Sequence, residues 1–513
     1  MKIERTKSAV KNIKVGFVLK IYQMIVPFLM RTAMIHFMGV QYLGLNSLFS
    51  SVLHVLNLAE LGVGAAMIFS MYKPIAEDDT ETICALMALY RKYYRLIGFA
   101  VGIAGIAIMP MVPKFISGEV PVELNVYVLY GLNLGATVLT SWLFAYRNWI
   151  LQAHQRTDLS DLVVMVTNTV QYGLQLAVVL WLKNYYLYVI VLLITTVLNN
   201  VLTAAVAARK YPQYKPTGTL SKEQIKQING KIRDLFTAKF GTVVLSSADT
   251  IVISSFMGLT ILAIYQNYYF ILTSVIAIVE ILMASIRAGL GNSFVTESKK
   301  KVYQDFRKFT FMFLCLTGIG ACCFMGMYQP FVEFWVGPEL MLGNSEVVCF
   351  AIYFFVFSLN RWLSVYKDAA GLWHKDRFRP LVVALINLGL NLCLVHRRGI
   401  CGVILATVLS QAVVGIPWVL HNLFHLFFDS EQLKKYVEML VKHACVTAVA
   451  GAVVGVICSY IVCTVWFRLV VCMIVSVIVP SMLYWTVYHK LPVCQESLRF
   501  VRHIASNHLH RSQ

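Results

Sequence analysis

Val15-Gly-Phe-Val-Leu-Lys20-Ile-Tyr-Gln-Met-Ile-Val-Pro-Phe-Leu-Met-Arg31-Thr-Ala-Met-Ile-His-Phe37 is an apolar stretch without a single acidic residue. At ~1.5 Å per helical residue it is long enough to cross a bilayer. Two cations, Lys20 and Arg31, lie inside it. An ionisable side chain at membrane depth costs at least ~2–3 kcal/mol, so such residues tend to face a wet interior and mark a ligand or ion path. Arg31 lies deeper than Lys20, and any opposite charge must come from another helix or a ligand. The segment follows a basic N-terminus. Its length and the missing small-residue cleavage site favour an uncleaved span over a signal peptide.

The pattern recurs along the chain. Of 513 residues, 58% are hydrophobic and 13% charged, and the mean hydropathy is +0.69, far from the balance of a soluble domain. Apolar stretches fall at roughly 15–37, 43–70, 91–112, 124–146, 160–182, 185–208, 234–256, 261–286, 309–332, 346–366, 378–396, 399–426, 440–464 and 467–488. With no water to satisfy the backbone, each must be a helix. The expected class is an all-α polytopic membrane protein with about fourteen transmembrane helices.

Charge placement supports this segmentation. With the N-terminus inside, the outer loops hold only Lys114, Lys183, Arg397, Arg398 and Arg468, and five cations lie within spans. The other 34 of the 44 Lys and Arg residues are on the inner side, counting Arg91, Lys92, Arg95, Arg379 and Lys442 at the inner ends of their stretches. This positive-inside bias places both termini in the cytoplasm and the protein in the cytoplasmic membrane. The net charge of +19 then reflects anchors near anionic lipid. Nucleic acid is excluded as a partner, because no basic, aromatic-interleaved soluble module is present. Eleven of the twelve cysteines follow residue 300 with no C-x-x-C pair, and adjacent Cys322 and Cys323 make no metal site. Buried apolar roles are expected for them. No phosphate-loop or zinc signature occurs, so no cofactor or metal is expected. The largest outer loops, around Pro113–Glu123 and Glu333–Glu346, are short, which weighs against an enzyme acting outside.

Residues 209–233, with Pro212, Pro216 and Gly218, read as a cytoplasmic linker. They divide six-helix sets at 1–208 and 234–426 that both begin inside, so a repeat between them is parallel. His36-Phe37-Met38-Gly39 at the end of the first span resembles Ser255-Phe256-Met257-Gly258 at the end of the seventh. Residues 427–488 add a thirteenth and fourteenth helix, and 489–513 form a basic tail suited to the inner membrane surface.

The repeat-leading helices carry polar stripes at helical spacing. The first has Lys20, Gln23, Pro27 and Arg31. The second has Asn46, Ser50, Asn57 and Glu60, with Gly62, Gly64 and Ala65 permitting close approach of a neighbour. The seventh has Lys239, Thr242, Ser246 and Asp249. The eighth has Gln266, Tyr269, Thr273, Glu280 and Arg287, with Asn267 beside Gln266. Four such faces are what a water-filled cavity between two lobes needs. The alternative is polar glue between helices, with charges near span ends snorkelling to the interface. Asp249 and Glu280 either neutralise the basic residues or take part in H+ or Na+ coupling. Arg361 and Asp368, two turns apart, are expected to pair or to anchor the tenth helix.

Residues Tyr42-Leu-Gly-Leu-Asn-Ser-Leu-Phe49, Leu58-Ala-Glu-Leu-Gly-Val-Gly-Ala-Ala66 and Met71-Tyr-Lys-Pro-Ile-Ala-Glu-Asp-Asp79 resemble the Wzx-like polysaccharide exporters of the MOP flippase superfamily. Arg31-Thr32, Gln266-Asn267-Tyr268-Tyr269 and Gly291-Asn292 fit the same pattern. Looser matches follow at Gly371-Leu372-Trp373…Phe378-Arg379-Pro380 and Gly399–Val403. The resemblance implies two pseudo-symmetric six-helix lobes, an added C-terminal helix pair and alternating access. It also implies a substrate, undecaprenyl-pyrophosphate-linked oligosaccharide moved to the outer leaflet for surface polysaccharide such as O-antigen. Only Arg31 carries over from the family's basic cavity residues. Lys20, Lys239, Arg287 and Arg361 are assigned to pyrophosphate binding by spacing, and Gln23, Asn46, Asn57, Glu60, Gln266 and Asn267 to the polar lining. A polysaccharide polymerase or ligase is a possible partner machinery. Two competing readings are a cation-coupled drug or metabolite exporter of the multidrug (MATE) branch and a membrane glycan polymerase or ligase.

Overall fold

The computed structural model describes residues 5–118 and 120–511, and every regular element among them is helical. The chain forms two compact units, residues 1–263 and 264–513. The first contains α1 (Arg5–Phe37), α2 (Val40–Leu56), α3 (Leu58–Ala76), α4 (Thr80–Ile108), α5 (Val126–Trp142), α6 (Ala145–Ala153), α7 (Thr157–Ala177), α8 (Tyr185–Lys210), α9 (Lys222–Met257) and the start of α10 (Leu259–Thr296). The second contains the rest of α10, then α11 (Lys299–Val336), α12 (Asn344–Ala369), the short α13 (Trp373–Asp376), α14 (Arg379–Ser410), α15 (Ile416–Leu426), α16 (Glu431–Ser459), α17 (Val465–Tyr488) and α18 (Pro492–Arg511).

Local sequence sets the helix ends. Asp79 accepts from the Thr82 amide at 3.0 Å to start α4. Ser221 and Gln224 form a reciprocal capping box at the head of α9, satisfying amides that an uncapped helix leaves bare. Half of the stretch expected to be linker, 209–233, is therefore helical. α9 packs on α2 and α3, which carries the unit boundary past that stretch and into α10. The close approach foreseen at Gly62 and Gly64 is real. A Cβ on Gly62 would stand 2.9 Å from the Ile232 carbonyl oxygen of α9, and one on Gly64 would enter the Trp149 ring of α6. The Met-Gly echo is a shared turn: Gly39 (φ 118°, ψ 159°) joins α1 to α2, and Gly258 (φ 88°, ψ 176°) joins α9 to α10. Both lie where glycine alone is unstrained.

By length and composition eleven helices qualify to cross a membrane, or twelve if α5 and α6, bent by 52°, form one span. Fourteen were expected, and the difference has two sources. Residues Trp373–Leu426 qualify as one helical run, yet Gly399 (φ 55°, ψ −134°) reverses it. Asn387 Nδ2 donates to Thr407 Oγ1 at 2.8 Å, although twenty residues of straight helix would span ~30 Å. α14 is thus two antiparallel arms. The second apolar stretch is broken at Asn57 into α2 and α3, and the 17-residue α2 is at the lower limit of length for crossing alone. The protein is a multi-pass, all-helical membrane protein.

In the second unit α11 is the hub against which α12, α16, α17 and α18 pack. Phe311, Tyr484, Tyr488, Val493 and Cys494 form one buried cluster there. Cys322, Ala450, Val454, Cys458 and Cys472 form another, so those cysteines pack as small apolar groups.

Candidate functional site

In the first unit α1 packs on α7, and Arg31 on its polar stripe comes within electrostatic reach of α7 and α8. Tyr22 Oη lies 3.0 Å from Thr169 Oγ1. Arg31 is half-buried within electrostatic reach of the Tyr172 and Tyr188 hydroxyls. Lys20 and Gln23 are exposed, and Lys20 lies within electrostatic reach of Asp161. Between α7 and α8 runs a polar ladder that the sequence reading missed. Thr167 Oγ1 donates to Asn199 Oδ1 at 3.1 Å, Thr195 Oγ1 to Gln171 Oε1 at 3.2 Å, and Gln175 Nε2 to the Tyr188 carbonyl at 3.2 Å. The signal was there: Thr167, Gln171 and Gln175 recur every four residues, one helical face.

The stripe assigned to the second helix does not survive as one face. Asn57 is the break between α2 and α3, and its Nδ2 donates to Glu60 Oε2 at 2.7 Å. Glu60 lies in the first turn of α3, where a carboxylate is favoured by the helix dipole. This pair is a local helix start, and Asn46, half-buried on α2, stands apart from it. On α9, Lys239 is half-buried and Asp249 is buried.

In the second unit Arg361 pairs with Glu280 of α10 at 3.6 Å, its guanidinium over the Phe357 ring at 5.0 Å. The Arg361–Asp368 pairing is thereby corrected: Asp368 is held by Lys367 at 2.8 Å. Gln266 is half-buried and Asn267 buried. The side chain of Arg287 lies outside the described residues. Among the described residues no group of three His, Cys, Asp or Glu side chains is arranged to hold a metal.

Two charge clamps were also missed, one in each unit. Arg156 grips Asp158 with Nε at 2.8 Å and Nη2 at 3.0 Å, and Lys11 of α1 reaches the same carboxylate at 3.2 Å. Arg379 grips Asp376 in the same two-pronged way, Nε at 2.8 Å and Nη2 at 3.0 Å, and Lys367 donates to it at 2.8 Å. They differ in wetness. Lys11 is 58% exposed, whereas the side chains of Lys367, Asp376 and Arg379 are at most 10% exposed.

Beside the first clamp, the His154 ring packs against that of Tyr211 at a tilt of 32° (centroids 4.2 Å apart) and lies 5.5 Å from the Tyr214 ring. Burial pushes its pKa below the ordinary 6.5. A neutral histidine that ionises more readily when released stabilises the folded state above pH ~6.5, and that contribution is lost as pH falls through the depressed folded value. Protease cleavage at Tyr211–Tyr214 should therefore rise on acidification below pH ~6.5 and become pH-independent in His154→Phe. Unchanged cleavage between pH 7.5 and 5 would remove this role.

Comparison with known proteins gives the fold a name. The lipid II flippase MurJ, in an inward closed conformation, superposes with a TM-score of 0.68 at 14% identity, covering 93% of this chain and 99% of that one. An inward-facing multidrug-resistance MATE transporter of the MOP superfamily superposes at 0.59 with 14% identity, covering 82% and 99%. A MATE protein in its bent conformation gives 0.54 at 15% identity, covering 84% and 97%. The fold is that of the MOP-superfamily transporters. No protein-family model matches the sequence, and no curated protein matches it.

Proposed function

We propose that this protein is a flippase moving undecaprenyl-pyrophosphate-linked oligosaccharides from the inner to the outer leaflet by alternating access, without enzymatic turnover. The observation that carries the reading is Arg31, a guanidinium held half-buried between α1, α7 and α8 amid tyrosine hydroxyls. A planar fork of donors in a low-dielectric setting suits pyrophosphate oxygens. Lys20, Lys239, Arg287 and Arg361 are proposed as further contacts, Arg361 once its pair with Glu280 opens. The wider coverage by the lipid II flippase than by the MATE structures supports a lipid-linked substrate. The direct test is a proteoliposome assay with a fluorescent polyprenyl-pyrophosphate glycan. Accumulation of label in the far leaflet supports the reading, and its absence in active, correctly inserted protein overturns it.

Buried Asp249 favours a second reading, a cation-coupled exporter of drugs or metabolites. In that case a drug gradient driven by H+ or Na+ forms in the same vesicles and the glycan stays put.

We also propose fourteen crossings with lobes at 1–208 and 234–426 and both termini on the cytoplasmic side. The reversal at Gly399 supports this count, because it adds a crossing to the 373–426 run. Cysteine introduced at Arg398 in a cysteine-free background should react with an impermeant maleimide from outside, and cysteine introduced at Lys375 only from inside. Labelling of both from one side would refute the hairpin's placement.

A further inference from the structure

The loop between α4 and α5, too short for an enzyme's outer domain, is tied to three other helices of the first unit. It leaves α4 through a tight 3-10 helix, Met109–Phe115. The Ser117 amide then donates to the Ser254 carbonyl of α9 at 2.9 Å. Further on, Tyr42 Oη of α2 donates to Glu123 Oε1. The Asn125 amide donates to Tyr186 Oη of α8 at 2.6 Å, and that hydroxyl donates to the Glu123 carbonyl at 3.4 Å. Asn125 also caps α5 by accepting from the Tyr127 and Val128 amides, so this end of the loop is anchored.

These ties bracket one seam. A Cβ on Gly44 of α2 would overlap the Leu259 carbonyl, so α2 and the α9–α10 turn touch backbone to backbone. Tyr42 stands two residues before Gly44, and Ser254 and Gly258 lead into Leu259. A Cβ on Gly258 would itself stand 2.7 Å from the Ser117 carbonyl oxygen. α2 lies in the first sequence repeat and α9 opens the second, so alternating access requires this seam to part. The ties are built to release. The Ser254 carbonyl also accepts the Gly258 amide at 3.2 Å, so it keeps a partner when Ser117 leaves. Glu123 is exposed and Ser117 half-buried, so water takes over their bonds. Breaking a hydrogen bond is costly when a group is left bare in a dry site, and here neither Ser254 nor Glu123 is.

We propose that the α4–α5 loop is a releasable strap that holds the outer end of the first unit shut. Fastened, it pins the α9–α10 turn against α2. Released, it lets α9 part from α2 and opens Ser254 to water. The strap's outer placement and the parting of the repeats rest on the proposed orientation and alternating access. The identity of the cargo does not enter.

The test uses the full chain in right-side-out vesicles, its twelve cysteines replaced and one introduced by Ser254→Cys. Ser254 is 0% exposed, so an impermeant methanethiosulfonate reacts slowly while the strap is fastened. Tyr42→Phe and Glu123→Ala should each raise the rate about tenfold, the effect of losing one hydrogen bond to a charged group. Together they should do no more than either alone, because they remove the same bond. Glu123→Gln, which still accepts from Tyr42, should stay near the parent rate. Ser117→Pro deletes the amide donor, and Ile116 (φ −121°, ψ 112°) already has the extended backbone favoured before proline. Its rate should rise about threefold. Thermal midpoints on the same preparations report folding. The proposal is overturned if Tyr42→Phe and Glu123→Ala, folded as the parent, label at the parent rate. It is also overturned if the two effects simply add, or if faster labelling tracks a lowered midpoint in every variant. Faster reaction in inside-out than in right-side-out vesicles would refute the orientation, and with it the strap's outer placement. None of these readouts depends on translocation of a glycan.

Discussion

Arg31→Ala is expected to abolish the proposed translocation of a lipid-linked glycan while the protein inserts and accumulates normally. Removing one partner of a desolvated charge pair typically costs 2–5 kcal/mol, so the rate through a pyrophosphate-bound state should fall about 10²-fold or more. Arg31→Lys keeps the charge but loses the planar two-pronged donor set, and it should remain strongly impaired. A structural role through Tyr172 and Tyr188 predicts something else: the thermal midpoint would drop with transport, and Lys would restore both. Proteoliposome flux and melting temperature measured on the same preparations separate the cases. Normal flux in Arg31→Ala at matched protein would falsify the pyrophosphate role.

Asp376→Ala should be the most damaging single change to the second unit's stability. It takes from Arg379, 10% exposed, its carboxylate partner, and leaves Lys367, 9% exposed, to the 47%-exposed carboxylate of Asp368 at 2.8 Å. Breaking a buried pair by removing one partner costs about 3–5 kcal/mol, because an uncompensated charge stays in a dry site. Removing the whole clamp as Lys367→Met, Asp376→Leu and Arg379→Met should cost less than Asp376→Ala alone. Asp158→Ala in the first unit should cost less too, since Lys11 is 58% exposed and water screens it. Thermal unfolding of the purified variants checks the order. A mildly affected Asp376→Ala with a severely affected triple variant would show that packing, not charge compensation, matters there.

Much of the architecture was legible in the chain. Apolar length and the inner bias of lysine and arginine led to an all-helical membrane protein, and Phe37-Met38-Gly39 against Phe256-Met257-Gly258 pointed to the paired turns at Gly39 and Gly258. The site was legible only in part. The spacing of Lys20, Gln23 and Arg31 put them on one face of α1, but nothing in that spacing names the opposing helix. The ladder of Thr167, Gln171 and Gln175 was overlooked because uncharged polar residues are common in membrane helices and carry no sign. Asn57 and Glu60 misled, because helical periodicity continues across a break that it cannot register.

What the sequence by itself determined is the class of molecule, since bilayer crossing depends on local length and composition, and every backbone group must be satisfied within its own helix. Tertiary structure alone decided who pairs with whom. Arg361 meets Glu280 and not Asp368, Asp376 is shared by Lys367 and Arg379, and Arg31 comes within electrostatic reach of Tyr172 and Tyr188. Charges and hydrogen bonds act through space over a few ångströms. The residues that come within that reach are set by how separate helices pack, which spacing along one helix does not encode.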